Sequence, residues 1–368
     1  MPVLLFVAMA AFMWTARGVH HGGDTPRYVG GAERLLGGEP LLGRDSAYVG
    51  YIAVVALFQT LGTSGAGIVA FQVFVSALCA IALFSMGRRV AGELAGVAAA
   101  SLYAINVDLA RFTFSILTDS LFTSGLLLST YLTYRALAGD RRGALPAAAT
   151  ALATGFFRPG GSFFVPIFGV ALVFAILRDR SLAWRGGAAV AVLVASVWLN
   201  LGPVRAVYST EDPMQWLVGG YVLIENEEYR MPMPPAGDSV SSIEYCANWP
   251  VACIRLVLRR VFVEFAHTRS FYSFRHNLLV WLSFPLLYAL AIIGAWAARR
   301  HSLTLLSVAV VGLQMALTGL TLADWDGRLV LFVFPLITLY SGVGIAALAS
   351  SYQARRQRAR SVTGTSPI

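Results

Sequence analysis

The sequence predicts an all-α polytopic membrane protein, and three observations support this fold class. Of the 368 residues, 57% are hydrophobic and only 13% are charged, and the mean hydropathy of +0.67 lies outside the range of soluble domains. About ten apolar runs are long enough, or nearly long enough, to cross a bilayer. Arg residues recur in the short segments after every second run, which is a pattern typical of cytoplasmic loops.

The ten expected transmembrane helices need roughly 20 apolar residues each, or fewer where their ends lie in the interface. They are expected at 2–17, 64–86, 91–107, 115–137, 143–157, 161–177, 186–206, 277–298, 303–322 and 329–350. The fifth and sixth are short and close together, so a pair of shallow or partly re-entrant spans is the alternative there. The apolar run 47–61 is cut off at Gly62, and we expect it to form an interfacial helix in the first loop.

The distribution of Arg predicts the orientation of the chain in the membrane. All 28 basic residues are Arg, so catalysis through a Lys Schiff base is excluded. Fourteen of them lie in the segments expected inside, where only three acids accompany them; that side nets +11 and the other side −2. Both termini are therefore expected to be cytoplasmic. The net charge of +9 is a topology signal, and we do not expect nucleic-acid binding.

These features divide the chain into four parts. They are an N-terminal transmembrane module at 1–206 with its first outer loop at 18–62, a long outer loop at 207–276, C-terminal transmembrane helices at 277–350, and an Arg-rich cytoplasmic tail at 351–368 that is expected to be disordered. Residues 2–14 lack a basic leading segment, so we interpret them as part of the first span and not as a cleavable signal peptide.

The carboxylates are sorted to one side of the expected membrane. Sixteen of the nineteen lie on the outer face or at its edge, in the first loop, the turn before the fourth span, the long loop and the last outer turn. Ionisable groups near a bilayer are energetically expensive and usually mark function. The sequence therefore predicts a site on the outer face, built from loops that converge above the helices.

The first outer loop is the segment around which we expect this site to form. Residues 20–42 (HHGGDTPRYVGGAERLLGGEPLL) contain a Gly-Gly-Asp turn followed by a short amphipathic helix. Thr25 is a suitable N-cap, Pro26 suits the first helical turn, and the Gly pair at 37–38 ends the helix. One helix face holds Tyr28, Ala32, Leu35 and Leu36. By residue type alone Asp24 is most simply a capping or turn residue; it is also a candidate catalytic base.

The long outer loop combines an irregular middle with an expected interfacial helix. Its Pro-rich segment 231–235 (MPMPP) should lack regular structure. Residues 253–270 form an amphipathic pattern. One side holds Arg255, Arg259 and Arg260, and the other holds Leu256, Val257, Val261 and Phe265. Cys246 and Cys253 could form a disulfide on an oxidising side of the membrane, provided that Pro250 breaks the helix between them.

Four segments together resemble the GT-C glycosyltransferases, which are polytopic enzymes that use polyprenyl-phosphate-linked sugars, such as protein O-mannosyltransferases and lipid A aminoarabinose transferases. The segments are 24–41 (DTPRYVGGAERLLGGEPL), 114–122 (FSILTDSLF), 157–161 (FRPGG) and 326–335 (DGRLVLFVFP). Their order and outer location match the family over most of the chain, and the resemblance implies the GT-C fold. The sequence departs from the family where Leu329 follows Arg328 in place of Tyr. Without a soluble domain after the last span, we expect a compact member.

The resemblance implies inverting transfer of a single sugar from a polyprenyl-phosphate donor to a hydroxyl of a glycan, lipid or protein acceptor, at the extracytoplasmic face of the bacterial inner membrane. It implies that Asp24 is the base. Asp119 is the second candidate acid, which either orients the acceptor, helps to hold a metal, or is a polar residue satisfied within the bundle. Arg328, Arg158 and Arg111 are candidates for the donor phosphate because a planar guanidinium group binds phosphate oxygens in pairs. The alternative for each Arg is snorkelling at the membrane interface.

Further residues complete the expected site. The candidates for substrate binding are Tyr28, Arg27, Glu225 and Asp326. His20 and His21 are candidate ligands for a divalent cation, which the chemistry does not require. Asp108 is expected to pair with Arg111 at helical spacing. The alternative functions are a flippase or transporter for lipid-linked saccharides, which paired broken helices or an inverted repeat would favour, and an oligosaccharide ligase or polymerase.

Overall fold

The computed structural model describes residues 1–178, 180–208, 213–223, 226–235 and 241–362. The described part of the chain is 79% helical and contains no β-strand, only two isolated bridges. The all-α class predicted from the sequence is therefore confirmed. Glu225, one of the candidate substrate-binding residues, lies outside the described residues.

The helices follow one another with short connections over most of the chain. In order they are α1 (Pro2–Arg17), α2 (Thr25–Leu36), α3 (Val49–Thr60), α4 (Ser64–Ala91), α5 (Glu93–Ala104), α6 (Val107–Thr113), α7 (Thr118–Leu137), α8 (Ala144–Gly155), α9 (Val165–Ile176), α10 (Leu182–Tyr208), α11 (Pro213–Val218), α12 (Ser242–Asn248), α13 (Pro250–Ala266), α14 (Phe274–Ala297), α15 (Ser302–Leu320), α16 (Arg328–Leu331) and α17 (Phe334–Val362). Short 3₁₀ segments occur at Gly43–Tyr48, Arg141–Gly143, Gly161–Phe164 and Glu227–Tyr229.

Several helices are long and apolar enough to cross a membrane. Within the described residues, α4, α14, α15 and α17 meet this standard by length and composition, and α5 with α6 would make a fifth span that bends by 59°. Shorter apolar helices occur at Pro2–Arg17, Ala144–Gly155, Gly161–Ile176 and Ala183–Ser196, where four further spans were predicted. The multi-pass character is thus confirmed, whereas the number of ten spans stays a prediction.

Helix α7 lies at the centre of the bundle. Fifteen of its 20 residues are buried, including its Ser and Thr side chains, and it packs against α4, α8, α9 and α15. Its Phe122 ring meets the Phe332 ring edge to face at 4.9 Å and the Phe164 ring at 6.0 Å. Because α7 begins with Thr118 and Asp119, this packing fixes a carboxylate at one end of the bundle.

Helix α2 forms as predicted and packs on α3, but its buried face is narrower than the predicted apolar face. Tyr28 and Ala32 are buried, and the Tyr28 ring lies edge to face on Tyr51 at 4.9 Å. Leu35 and Leu36 are exposed, which corrects the predicted face. The close contact is made by a small residue, since a Cβ on Gly31 would lie 2.8 Å from Ile52 Cδ1. The buried face is therefore centred on the small residues of α2 and not on its last turn.

Helix α13 buries a charge that we expected to be exposed. Arg260 is buried and not on the polar side with Arg255 and Arg259, because its guanidinium group donates to the backbone oxygens of Tyr221 (2.9 Å) and Trp216 (3.1 Å). The exposed stripe instead carries large apolar side chains beside the two other Arg residues. Those apolar side chains are Val251, Ile254, Leu258 and Phe262.

The outcomes for three further segments can be compared with the predictions. A disulfide joins Cys246 and Cys253, whose Cα atoms are 5.6 Å apart, and the helix breaks between Asn248 and Pro250 as this bridge requires. The Pro-rich segment 231–235 is irregular, as predicted. Residues 351–362 of the tail were predicted to be disordered but are helical, since α17 continues to Val362 and the Ala, Gln and Arg residues there have high helix propensity. Residues 363–368 lie outside the described residues.

Candidate active site

Four segments that are distant in sequence converge at one end of the bundle. Arg328 Nη1 lies 3.7 Å from Asp24 Oδ2, and Arg328 Nε donates to Asp324 Oδ2 at 2.9 Å. Arg158 Nη1 donates to Asp119 Oδ1, also at 2.9 Å. The structure therefore joins the first loop, the start of α7, the turn after α8 and the turn before α16 in one cluster of opposite charges.

Asp24 stands at the N-cap position of α2 but its side chain acts elsewhere. Within the described residues, it makes no capping hydrogen bond. Its carboxylate instead accepts from Arg27 Nη1 at 3.3 Å and faces Arg328, with 30% of the side chain exposed. The capping interpretation therefore does not explain this side chain, and a carboxylate between two guanidinium groups is left accessible to a ligand.

The first loop is tied to the segment that precedes α7. The backbone N–H of His20 donates to Phe114 O and that of Ile116 donates to His20 O, both at 2.9 Å. Thr25 Oγ1 donates to Ile116 O at 2.9 Å and accepts from Gly22 N at 2.9 Å. Thr25 thus serves the junction between the two segments, although it was predicted to be a helix cap. This junction holds the loop of Asp24 against the start of α7.

Asp119 and Arg158 form a nearly buried ion pair, with 3% and 16% of their side chains exposed. The Arg158 guanidinium carbon also lies 4.5 Å from the centre of the Phe332 ring. A cavity of about 190 Å³ opens beside Arg158, with aromatic side chains and the amide of Gln314 in its walls. Because Asp119 is enclosed and already paired, it can orient Arg158 but cannot readily meet a substrate.

Arg328 is surrounded by carboxylates. Burial alone would lower its pKa, but the negative charges of Asp119, Asp324 and Asp24 hold the pKa of Arg328 above its usual value. Gly327 precedes it with φ +62°, a backbone conformation that favours glycine. The Arg328 guanidinium group is therefore permanently charged. It contacts the partly exposed carboxylate of Asp24 and the nearly buried carboxylate of Asp324.

The other predicted site residues lie at the margin of this cluster. Arg111 pairs with Asp326 at 2.9 Å, while Arg27 reaches both Asp24 and, at 3.8 Å, Asp45. Tyr28 is buried between α2 and α3, so the structure places its ring in the protein core. Substrate binding by these residues stays a prediction.

The residues proposed for a cation do not form a cluster with other ligands. No group of three His, Cys, Asp or Glu side chains converges within the part of the chain that the structure describes. Burial, followed by the charges of Arg17 and Arg111, lowers the pKa of His20. Asp108 was expected to pair with Arg111, but its carboxylate instead lies 3.5 Å from His267 Nε2, because the turn after α13 reaches this end of α6.

Three charged residues that support the cluster were not predicted as site residues: Asp324, Glu264 and Arg269. Asp324 stands two positions before Asp326, which was chosen in its place, and it is Asp324 that binds Arg328. Glu264 and Arg269 are completely buried. A lone carboxylate inside the apolar run VFVEFA was the signal that could have identified Glu264.

A multi-pass helical bundle that gathers Asp and Arg residues at one end is consistent with a membrane glycosyltransferase of the GT-C type. Residues 48–200, less than half of the chain, match the family model described as dolichyl-phosphate-mannose-protein mannosyltransferase. This match agrees with the resemblance to the GT-C glycosyltransferases and includes the motif segments 114–122 and 157–161. The matched region contains Asp119 and Arg158, whereas Asp24 and Arg328 lie outside it. No curated protein matches the chain.

Proposed function

We propose that the protein is an inverting glycosyltransferase that moves a single sugar from a polyprenyl-phosphate donor to an acceptor hydroxyl at the extracytoplasmic membrane face. The observation that supports this most directly is the contact between the partly exposed Asp24 carboxylate and Arg328, 3.7 Å apart. A base for the acceptor and a cation for the donor phosphate thus lie side by side.

Asp24 is the general base in this proposal. The acceptor oxygen forms a bond to the anomeric carbon while the bond from that carbon to the donor phosphate oxygen breaks, and the hydroxyl proton passes to Asp24. One displacement of this kind inverts the anomeric configuration. Asp24 suits this role because its carboxylate is accessible, whereas Asp119 is enclosed and paired with Arg158.

Arg328 and Arg158 bind the donor phosphate in this proposal. Arg328 keeps its short hydrogen bond to Asp324, and its longer contact with Asp24 is the one that a phosphate would replace. Phosphate binding would thereby free Asp24 to accept a proton. Arg158, held by Asp119 and stacked on Phe332, presents a second guanidinium group at the cavity.

The remaining assignments rest on the charge distribution and on the family. The Cys246–Cys253 disulfide supports an extracytoplasmic long loop, since disulfides persist in oxidising compartments. With that loop outside, both termini lie in the cytoplasm. In this proposal, which follows the family resemblance, the membrane is the bacterial inner membrane. The acceptor is a hydroxyl of a glycan, lipid or protein. His20 and His21 are the residues nearest to Asp24 in sequence that could bind a divalent cation.

Asp24→Asn tests this function. The amide keeps the size of the side chain but cannot take the proton, so we expect kcat to fall by about 10²–10⁴-fold. The assay measures transfer by the purified variant from a panel of polyprenyl-phosphate sugars, with correct folding verified by its melting temperature. Glu33→Gln on the exposed side of α2 is the matched control. Turnover near that of the wild type in Asp24→Asn would remove Asp24 from the mechanism.

A further inference from the structure

Glu264 is a fully buried carboxylate on α13 whose two oxygens bind the backbone on both sides of Arg328. Oε2 accepts from the N–H of Asp324 at 2.8 Å, and Oε1 accepts from the N–H of Val330 at 3.0 Å. Burying a carboxylate is unfavourable unless strong hydrogen bonds compensate for its lost hydration. Here both compensating bonds go to the turn that carries Arg328.

Arg269 completes the attachment of this turn. Its Nη2 donates to Asp324 O at 2.9 Å, its Nη1 donates to Val263 O at 2.6 Å, and it lies 3.8 Å from Glu264 Oε2. Asn277 fixes Arg269 in turn, since its side chain binds both the N–H and the C=O of Arg269. Glu264 and Arg269 therefore hold the N–H and the C=O of the same residue, Asp324.

The attachment reaches the Arg328 side chain through Asp324. One Asp324 oxygen accepts from Asp326 N at 3.0 Å and the other accepts from Arg328 Nε at 2.9 Å. Gly327 lies against the ring of His267, where any added Cβ would clash. The backbone on both sides of Arg328 is thus held by groups that belong to, or directly follow, α13. The Arg328 side chain is held by Asp324, whose backbone those groups fix.

We propose that Glu264 is a positioning residue that orients Arg328 for an anionic phosphate, so that a carboxylate of the long loop influences donor affinity. The inference rests on the donor-binding role of Arg328 in the proposed function. Glu264 itself touches no substrate. A binding group needs supporting hydrogen bonds that hold it in its productive geometry, and loss of such support weakens binding.

Glu264→Gln tests the inference because the amide keeps the size but can accept only one of the two N–H bonds. The probe is geranylgeranyl phosphate in detergent micelles, and its dissociation constant is measured for the wild type, Glu264→Gln, Arg328→Ala and the double variant. Hydrogen exchange at residues 324–330 is measured on the same samples. Glu244→Gln, an exposed Glu on α12, is the matched control.

We expect Glu264→Gln to weaken probe binding about tenfold in the wild-type background and to accelerate exchange in the turn. In the Arg328→Ala background we expect no further weakening, because Glu264 acts through Arg328. An equal loss in both backgrounds would overturn the inference, as would unchanged binding despite faster exchange.

Two additions keep the result decisive. If Glu264→Gln does not fold, Asp324→Asn replaces it, since that change weakens the same support of Arg328, and unchanged binding would again overturn the inference. If the wild type does not bind the probe, the proposed donor class is wrong. Exchange then decides the positioning role alone, because unchanged protection of residues 324–330 in Glu264→Gln would overturn it.

Discussion

Breaking the Asp119–Arg158 pair should destabilise the protein strongly. Arg158→Met removes the cation and leaves the Asp119 carboxylate 97% enclosed without its partner, given that only 3% of this side chain is exposed. Loss of one member of a buried ion pair typically costs about 3–5 kcal/mol. The change also removes the contact of Arg158 with the Phe332 ring, worth about 1 kcal/mol. We therefore expect a loss near the upper end of this range.

Asp119→Asn should cost less, about 3 kcal/mol, because the amide oxygen still accepts from Arg158 and the ring contact remains. The double variant removes both charges, so no unpaired charge of this ion pair stays buried. We expect it to be about 2 kcal/mol more stable than Arg158→Met alone.

Unfolding of the four proteins in the same detergent, followed by circular dichroism against denaturant, gives the coupling between the two residues. Glu227→Gln is the control, since Glu227 pairs with Arg230 at 3.1 Å on an exposed surface, and we expect no measurable loss. If the losses of the two single variants simply add in the double variant, the pair is not coupled and our reasoning about its burial is wrong.

Two further predictions concern binding and pH. Arg328→Ala should weaken donor binding more than acceptor binding, because Arg328 is the proposed phosphate ligand; separate KM values for the two substrates test this, and equal changes would contradict it. Burial and then the charge of Asp324 raise the pKa of Glu264 to about 7, against the opposing charge of Arg269, with Tyr288 also nearby. Since the unfolded chain releases this proton first, near pH 4.5, wild-type stability should fall as pH rises from 4.5 to 7 and then level off. The stability difference between the wild type and Glu264→Gln across this interval measures the effect, and parallel curves would contradict it.

The sequence predicted the helical class and several members of the charge cluster, but not Asp324, which binds Arg328. Asp24, Arg158 and Arg328 were each found from a short motif, and the expected sorting of acids to one side led to a site where loops converge. The contacts themselves could not be predicted, because they depend on hydrogen bonds between segments about 90 residues apart, such as Thr25 with Ile116. Periodicity alone does not encode such distances.

The errors in placing charged residues share one physical cause. Arg260 was assigned to a solvated face because of its charge, and Glu264 was overlooked. Both are buried, because backbone groups of remote segments form hydrogen bonds with their side chains. Asp108 was paired with its helical neighbour, whereas a left-handed turn at His267 brings a partner from another helix. Residue spacing in the sequence predicts contacts within one helix. The partners of a buried charged side chain, in contrast, come from segments that are distant in sequence.

The ties between the first loop and the residues before α7 bear on how substrates enter. His20 and Thr25 hold this loop by three hydrogen bonds of 2.9 Å to residues 114–116. The segment that carries Asp24 is therefore anchored to the helix bundle and is not a mobile loop. The hydroxyl group of the acceptor substrate must then reach the Asp24 carboxylate without a movement of the first loop. Whatever opens the way for donor and acceptor therefore has to belong to some other part of the molecule.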